Sequence, residues 1–159
     1  MGELAFVAVD GQRLARMREQ GADEFGNPWV SRVAEGWEPL RCCLRRAGAG
    51  DSIALICYSP WDTASPWMEA GPVFVHFAAC AGYLEPQRYP EDFRRSPSMI
   101  NPFGTDGARV YQHITFVAPD DDHEEAVRLV MSQPEVDFLH VRSSTAGCFT
   151  FAVTSQGAS

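Results

Sequence analysis

Lysine is missing from this chain: all 13 basic residues are arginine, against 21 acidic ones, and the formal net charge is -8. No basic run occurs either. Nucleic acid rewards clustered Lys and Arg through counterion release, so no nucleic-acid partner is expected. The same deficit argues against anionic membrane surfaces. Long apolar runs are also lacking, and no stretch approaches the ~18 apolar residues of a membrane span. The opening Met1-Gly-Glu-Leu-Ala-Phe-Val-Ala-Val-Asp10 has neither the basic region nor the apolar length of an export signal. Five cysteines, an odd number without framework spacing, give no disulfide scaffold, so reduced thiols and a cytoplasmic location are expected. The chain holds no Gly-rich phosphate loop, no Gly-x-Ser-x-Gly elbow and no dinucleotide fingerprint. No cofactor is expected.

What is present is ordinary globular material. With 159 residues, 45% hydrophobic and 21% charged, the chain reads as one domain over 1–159, with 155–159 as a frayed tail. Residues 4–9 read as a strand, and Asp10 as the cap of a helix over 11–20 that buries Leu14 and Met17. Residues 21–39 read as loop, 40–47 as a two-turn helix and 53–58 as a buried strand. A second Pro-Trp loop, 59–72, leads to a strand over 73–79. The long stretch 82–108 is either a functional loop or conceals short structure, and 90–95 suits a helical turn. A strand over 109–118 precedes a helix with acidic residues stacked at its N-terminus, running to about Gln133 and burying Ala126, Leu129 and Val130. Two strands, 137–142 and 148–154, close the chain. The expected class is α+β, a mostly antiparallel sheet with two or three helices and long Pro/Trp-rich loops.

Strand parity marks the C-terminal hairpin as chemically interesting. Leu139 and Val141 share one face, and Phe138, His140 and Arg142 the other. A five-residue loop over 143–147, with Gly147 at positive φ, sets Arg142 opposite Cys148 and His140 opposite Thr150. Leu139, Val141, Phe149 and Phe151 then form the core face. In that arrangement Arg142 favours a Cys148 thiolate, and His140 is placed to move a proton. Arg142 also suits a substrate carboxylate or phosphate.

Other groups are weighed beside it. His76 and His113 sit in strand-like segments, and a His76/His113/His140 set would leave an open position on a zinc ion. No two of them share a metal-binding motif, however, and the expectation is no metal. His123 reads as a solvated residue of the acidic helix start. Cys42 and Cys43 are adjacent rather than spaced Cys-x-x-Cys, which supports neither a redox dithiol nor a zinc knuckle. Arg41, Arg45 and Arg46 form a local cation cluster beside them, with room for one Arg pointing inward. The four tryptophans, 29, 37, 61 and 67, each lie within two residues of a proline. They anchor loops or wall an aromatic pocket, Trp61 and Trp67 being the candidates for substrate contact.

The segments Pro39-Leu-Arg41-Cys-Cys43-Leu-Arg-Arg-Ala47, Gly50-Asp51, Ile53–Tyr58, Gly71-Pro-Val-Phe-Val-His76 and His140-Val-Arg142 with Gly147-Cys148-Phe149 resemble a family of small bacterial proteins catalogued as domain of unknown function 1203. The resemblance covers nearly the whole chain and brings no activity. The family pattern opens Pro-Cys-Arg where this chain has Pro39-Leu40-Arg41. A role for that cysteine is therefore missing here or has moved to Cys42 or Cys43. The resemblance implicates His76, Arg41, His140, Arg142 and Cys148.

The functional expectation is a small cofactor-independent enzyme acting on a small organic substrate by isomerase, cyclase, lyase or hydrolase chemistry. His140, Cys148 and His76 are its catalytic candidates. Arg142, Arg41, His113, Trp61 and Trp67 are its substrate-binding candidates. A non-catalytic ligand-binding or interaction module is the alternative, and a His-ligated metal enzyme the third reading. The oligomeric state is left open, a homodimer included.

Overall fold

The computed structural model describes residues 2–156. The architecture is α+β, with two antiparallel sheets and two helices. The strands are β1 (Leu4–Val7), β2 (Val30–Val33), β3 (Ser52–Tyr58), β4 (Gly71–His76), β5 (Ser98–Phe103), β6 (Thr115–Val117), β7 (Phe138–Ser143) and β8 (Phe149–Ser155). The helices are α1 (Gly11–Gln20) and α2 (His123–Met131), and single 3-10 turns occur at Glu91–Phe93 and Tyr111–His113. The chain divides into two compact units. One comprises residues 8–64 and 68–84, and the other residues up to 7, 65–67 and 85 onward. Of the tail at 155–159, Ser155 pairs with Leu4 and Gln156 donates to the Glu3 carbonyl at 2.7 Å, while 157–159 lie outside the described residues.

The first unit is built on a three-stranded sheet in the order β2-β3-β4. The apolar run of β3 buries Ile53, Ala54, Ile56 and Tyr58, as a strand covered on both faces should. Helix α1 starts where expected, because Asp10 accepts a hydrogen bond from the Gln12 N–H at 3.0 Å. It stops at Gly21, whose φ of 69° is left-handed and closes the last turn onto Arg18 and Met17. Leu14 and Met17 are buried. β2 falls inside the stretch read as loop. Its sequence Val-Ser-Arg-Val is mostly exposed, so no hydrophobic alternation advertises it.

The second unit carries a five-stranded sheet in the order β1-β8-β7-β5-β6. β5 is the short structure concealed in the long 82–108 stretch, whose four prolines leave little periodicity. The Pro102 carbonyl accepts from Val110 on the side away from β7, so its missing N–H also points away from the β7 ladder. Helix α2 is capped by Asp122, which accepts from the Glu125 N–H at 3.0 Å. Its buried face is His123, Val127, Val130 and Met131. This corrects the expected inward set: Leu129 is 64% exposed, one position out of phase. His123 is likewise buried rather than solvated. Its two ring nitrogens each lie 2.9 Å from a carbonyl oxygen, of Asp121 and Ser96. Tyr89 stands edge-on to His123, Phe6 and Phe151, with ring centroids 5.2–5.8 Å away. Burial raises its phenol to about 12.

The C-terminal hairpin departs from the expected register. Arg142 faces Phe149 rather than Cys148, and His140 faces Ala152 rather than Thr150. A β-bulge is the cause: pairing steps from Val141↔Phe151 to Arg142↔Phe149, which leaves Thr150 as the extra residue. Phe149 thereby moves to the face of His140, 5.2 Å away and perpendicular to it. Phe103 and Phe138 pack on the same imidazole at 4.9 and 5.7 Å. Burial, then the charges of Arg142 and Arg109, push His140 down to about 3.

Two measurements test this account. Phe151 is fully buried, so Phe151→Ala should cost about 3–5 kcal/mol in urea unfolding. Leu129→Ala, at an exposed site, should stay within about 0.5 kcal/mol. For His140, an unfolded histidine takes up its proton near pH 6.5, and the folded one only near 3. Its contribution to stability is full above about pH 6.5 and is lost as pH falls towards 3. His140→Leu should therefore gain on the wild type between pH 7 and about pH 4.5, by on the order of 2 kcal/mol. Parallel pH profiles for the two proteins would refute it.

Candidate metal centre

The turn that follows Pro39 was expected to be helical and is instead a tight hairpin. Leu44 N–H reaches the Leu40 carbonyl at 3.0 Å, as in one turn of helix. Leu44 then adopts φ 57°, the one non-glycine residue with positive φ among the described residues. The chain folds back so that Pro39 bridges Arg46 and Leu40 N–H bonds the Arg45 carbonyl at 2.8 Å. A left-handed leucine costs about 1 kcal/mol, and such strain persists where the surroundings over-determine it. Here the surroundings are protein interior: Leu40, Cys42, Cys43 and Leu44 are each at most 3% exposed.

The same turn is lashed to β4. Leu40 pairs with Phe74 in parallel fashion, and the Arg41 N–H donates to the Phe74 carbonyl at 2.9 Å. Two residues further along each chain, parallel pairing brings Cys42 beside His76. The His76 N–H points at the Cys42 Sγ at 3.2 Å, and the His76 Nδ1 lies 3.5 Å from that sulfur and 3.9 Å from the Cys43 Sγ. Four residues beyond His76, Cys80 returns to the same place. One donor atom from each of Cys42, Cys43, His76 and Cys80 lies within 4.8 Å of every other.

These distances can be compared with those of a metal site. Zinc bonds sulfur at about 2.3 Å and imidazole nitrogen at about 2.0–2.1 Å. A tetrahedron on those bonds has S···N edges of about 3.6 Å and S···S edges of about 3.8 Å. The two measured S···N separations bracket the first figure. The 4.8 Å ceiling leaves about 1 Å of contraction to complete the set, within reach of side-chain rotation.

Electrostatics favour a charged thiolate here. Cys43 is drawn below the usual thiol range, first by the hydrogen bond from Cys42, then by the Arg45 backbone N–H and side chain against the cost of burial. Cys42, as donor in that pair and buried, is pushed up. On the far side of the imidazole, His76 Nε2 faces Asp51 Oδ2 at 3.8 Å. Asp51 is itself pinned by the Gly48 N–H at 2.8 Å. A carboxylate behind the ring leaves Nδ1 as the ligating nitrogen, the arrangement that outer partners of metal-bound histidine commonly provide.

The other candidates fall elsewhere. Arg41 is the inward arginine of its cluster, 3% exposed, and donates to the Pro39 carbonyl at 2.6 Å. His113 lies on a 3-10 turn rather than a strand and pairs with Glu135. His140 is enclosed by aromatic rings, as above. Arg142 donates to the Gly147 carbonyl at 2.9 Å, and the Cys148 thiol approaches the Ala146 carbonyl at 3.7 Å. Among the described residues, the convergent donor set joins His76 to three cysteines of its own unit. Trp67 donates to the Tyr111 hydroxyl at 3.0 Å, and Trp61 N–H bonds the Ser59 hydroxyl at 3.2 Å. Neither tryptophan is in the wall of the cavity beside Cys42 and Cys80.

Sequence reasoning passed over Cys80 and Asp51 and set Cys42 and Cys43 aside. One signal was present, the His-x-x-x-Cys spacing of His76 and Cys80 at a strand end. The shift of a cysteine from the family's position 40 was read as a loss or a move to 42 or 43. The geometry now has both of those sulfurs beside His76.

No curated protein and no solved structure matches the chain. A family model does, over residues 37–155, about three-quarters of the length and inclusive of all four convergent side chains. The chain belongs to the family described as Protein of unknown function (DUF1203).

Proposed function

We propose that this chain is a zinc-binding protein in which Cys42, Cys43, His76 and Cys80 hold a single ion in a tetrahedral site of three sulfurs and one nitrogen. The observation that carries the reading is the convergence of those four donor atoms within 4.8 Å. Three sulfurs and one imidazole select a soft or borderline ion over magnesium or calcium. The compact spacing suits one ion rather than a cluster. Four protein ligands make the arrangement of a structural site, and the unit that contains it has fewer than 80 residues, a size at which a metal adds needed stability. Binding displaces the thiol protons, and the hydrogen bond that favours the Cys43 thiolate eases that step. This proposal replaces the expectation of no cofactor.

A second reading keeps an acid/base or cysteine-assisted enzyme on the same residues. It is favoured by the Cys43 sulfur lying 3.9 Å from the His76 Nδ1, a nucleophile beside a base. Metal analysis separates the two.

Protein purified without chelator should carry near one zinc ion per chain, and EDTA should lower its melting temperature. Cys43→Ser should lose the ion, while Cys57→Ser and Cys148→Ser, which alter cysteines outside the set, should retain it. Substoichiometric metal together with no effect of EDTA would sink the zinc reading and leave the thiol–imidazole enzyme.

A further inference from the structure

The four donors are held unequally. Cys42 and Cys43 are buried on a turn fixed by the Leu40, Arg41 and Leu44 backbone bonds. His76 is held by the β3–β4 ladder, opposite Ile53. Cys80 is exposed. It sits on residues 79–82, whose backbone makes no hydrogen bond to any other described residue. The last anchored residue before it is Ala78, whose carbonyl accepts from Arg18 Nη2 at 3.2 Å. Gly82, just beyond, takes φ 80°. Of the four, Cys80 gives up the least on leaving.

A cavity of about 270 Å³ adjoins the cluster at that ligand. Cys42 and Cys80 form part of its wall, facing residues of α1 that include Leu14, Ala15 and Arg18. The lining is mostly small and apolar, with one cationic group. Arg18 uses Nε and Nη2 to hold the carbonyls of His76, Phe77 and Ala78, and its Nη1 makes no hydrogen bond among the described residues. The volume lies just under the ~300–1,000 Å³ of drug-sized sites, which suits a molecule of a few heavy atoms. Its single positive charge suits an anion.

On the basis of the zinc reading, we infer that Cys80 is an exchangeable ligand, displaced on the metal by a small anionic molecule that enters from this cavity with a thiolate or carboxylate donor. In the exchange the metal–Cys80 sulfur bond breaks and the metal–ligand bond forms. With an entering thiol, its proton passes to the departing Cys80 thiolate. With a carboxylate, that proton comes from water. No oxidation state changes. The site is thereby a closed one that opens at one corner, in contrast to a purely structural zinc.

The test uses the full chain loaded with cobalt(II), whose visible bands and thiolate charge-transfer absorption report the donor set. 2-Mercaptoethanol and acetate are titrated separately, so the two donor chemistries are distinguished. The wild-type spectrum should change saturably with at least one of them. Cys80→Ala should still bind cobalt and should bind that probe more tightly. Ala15→Phe, at an exposed helix position on the cavity wall, should take up cobalt normally yet weaken the probe by about tenfold or more, a difference of roughly 1.4 kcal/mol. Cobalt spectra indifferent to both probes in wild type and Cys80→Ala would overturn the exchange while leaving the metal site intact. A response that Ala15→Phe does not weaken would overturn the cavity as its source. Failure of the wild type to bind cobalt would remove the zinc reading itself.

Discussion

A backbone hydrogen bond from the Arg41 N–H to the Phe74 carbonyl, 2.9 Å long, sets the position of everything chemical in the three-stranded unit. Without it the Cys42-Cys43 turn is an exposed loop between two strands. With it, the turn is registered in parallel against β4, and parallel registry carries Cys42 to His76 without any choice left to the side chains. The neighbouring contacts reinforce that registry. Val9 N–H bonds the Arg41 carbonyl at 3.0 Å, the buried Leu40 and Leu44 flank the thiols, and Arg18 holds the backbone on which His76 leads to Cys80. The left-handed Leu44 is what the chain adopts to satisfy these fixed points at once.

Elements that rest on local chemistry were legible in the sequence. The Asp10 cap, the Gly21 stop and the Leu14 and Met17 spacing mark α1 because each acts within a few residues. β3 is marked by its own apolar run. Elements that rest on partners far along the chain were not legible. β2 is exposed and β5 contains a proline, so neither carries a strand signature, and both exist because other strands pair with them. The phase of α2 failed for a related reason: His123 is buried against the Ser96 carbonyl and the Tyr89 ring, both supplied from elsewhere, which turns the helix so that Leu129 faces outward.

The site was half legible. Of the candidate residues, His76 is the one that lies in the four-donor cluster. Their grouping was governed by registry, and strand parity alone cannot foresee a bulge. Thr150 is one extra residue, yet it moves Phe149 across the sheet and converts the expected open face around His140 into an aromatic enclosure. His140 of the C-terminal hairpin is thus packed among aromatic rings, while two cysteines set aside for their adjacency are neighbours of an imidazole. Adjacency is unusual for ligands on a helix or strand, where consecutive side chains diverge. In this turn both sulfurs nonetheless lie beside the same imidazole nitrogen, 3.5 and 3.9 Å away.

The spacing of the four donors along the chain has a further meaning. They come from two short segments, 42–43 and 76–80, with β3 and all of β4 before its last residue between them. An ion held between them ties off a loop of more than thirty residues, as a disulfide would. On the chain-entropy estimate such a tie raises the free energy of the unfolded ensemble by roughly 4 kcal/mol. Unlike a disulfide, this cross-link needs no oxidising compartment. On the zinc reading it would be made or undone by the supply of metal, and the folding of this unit would be coupled to an ion.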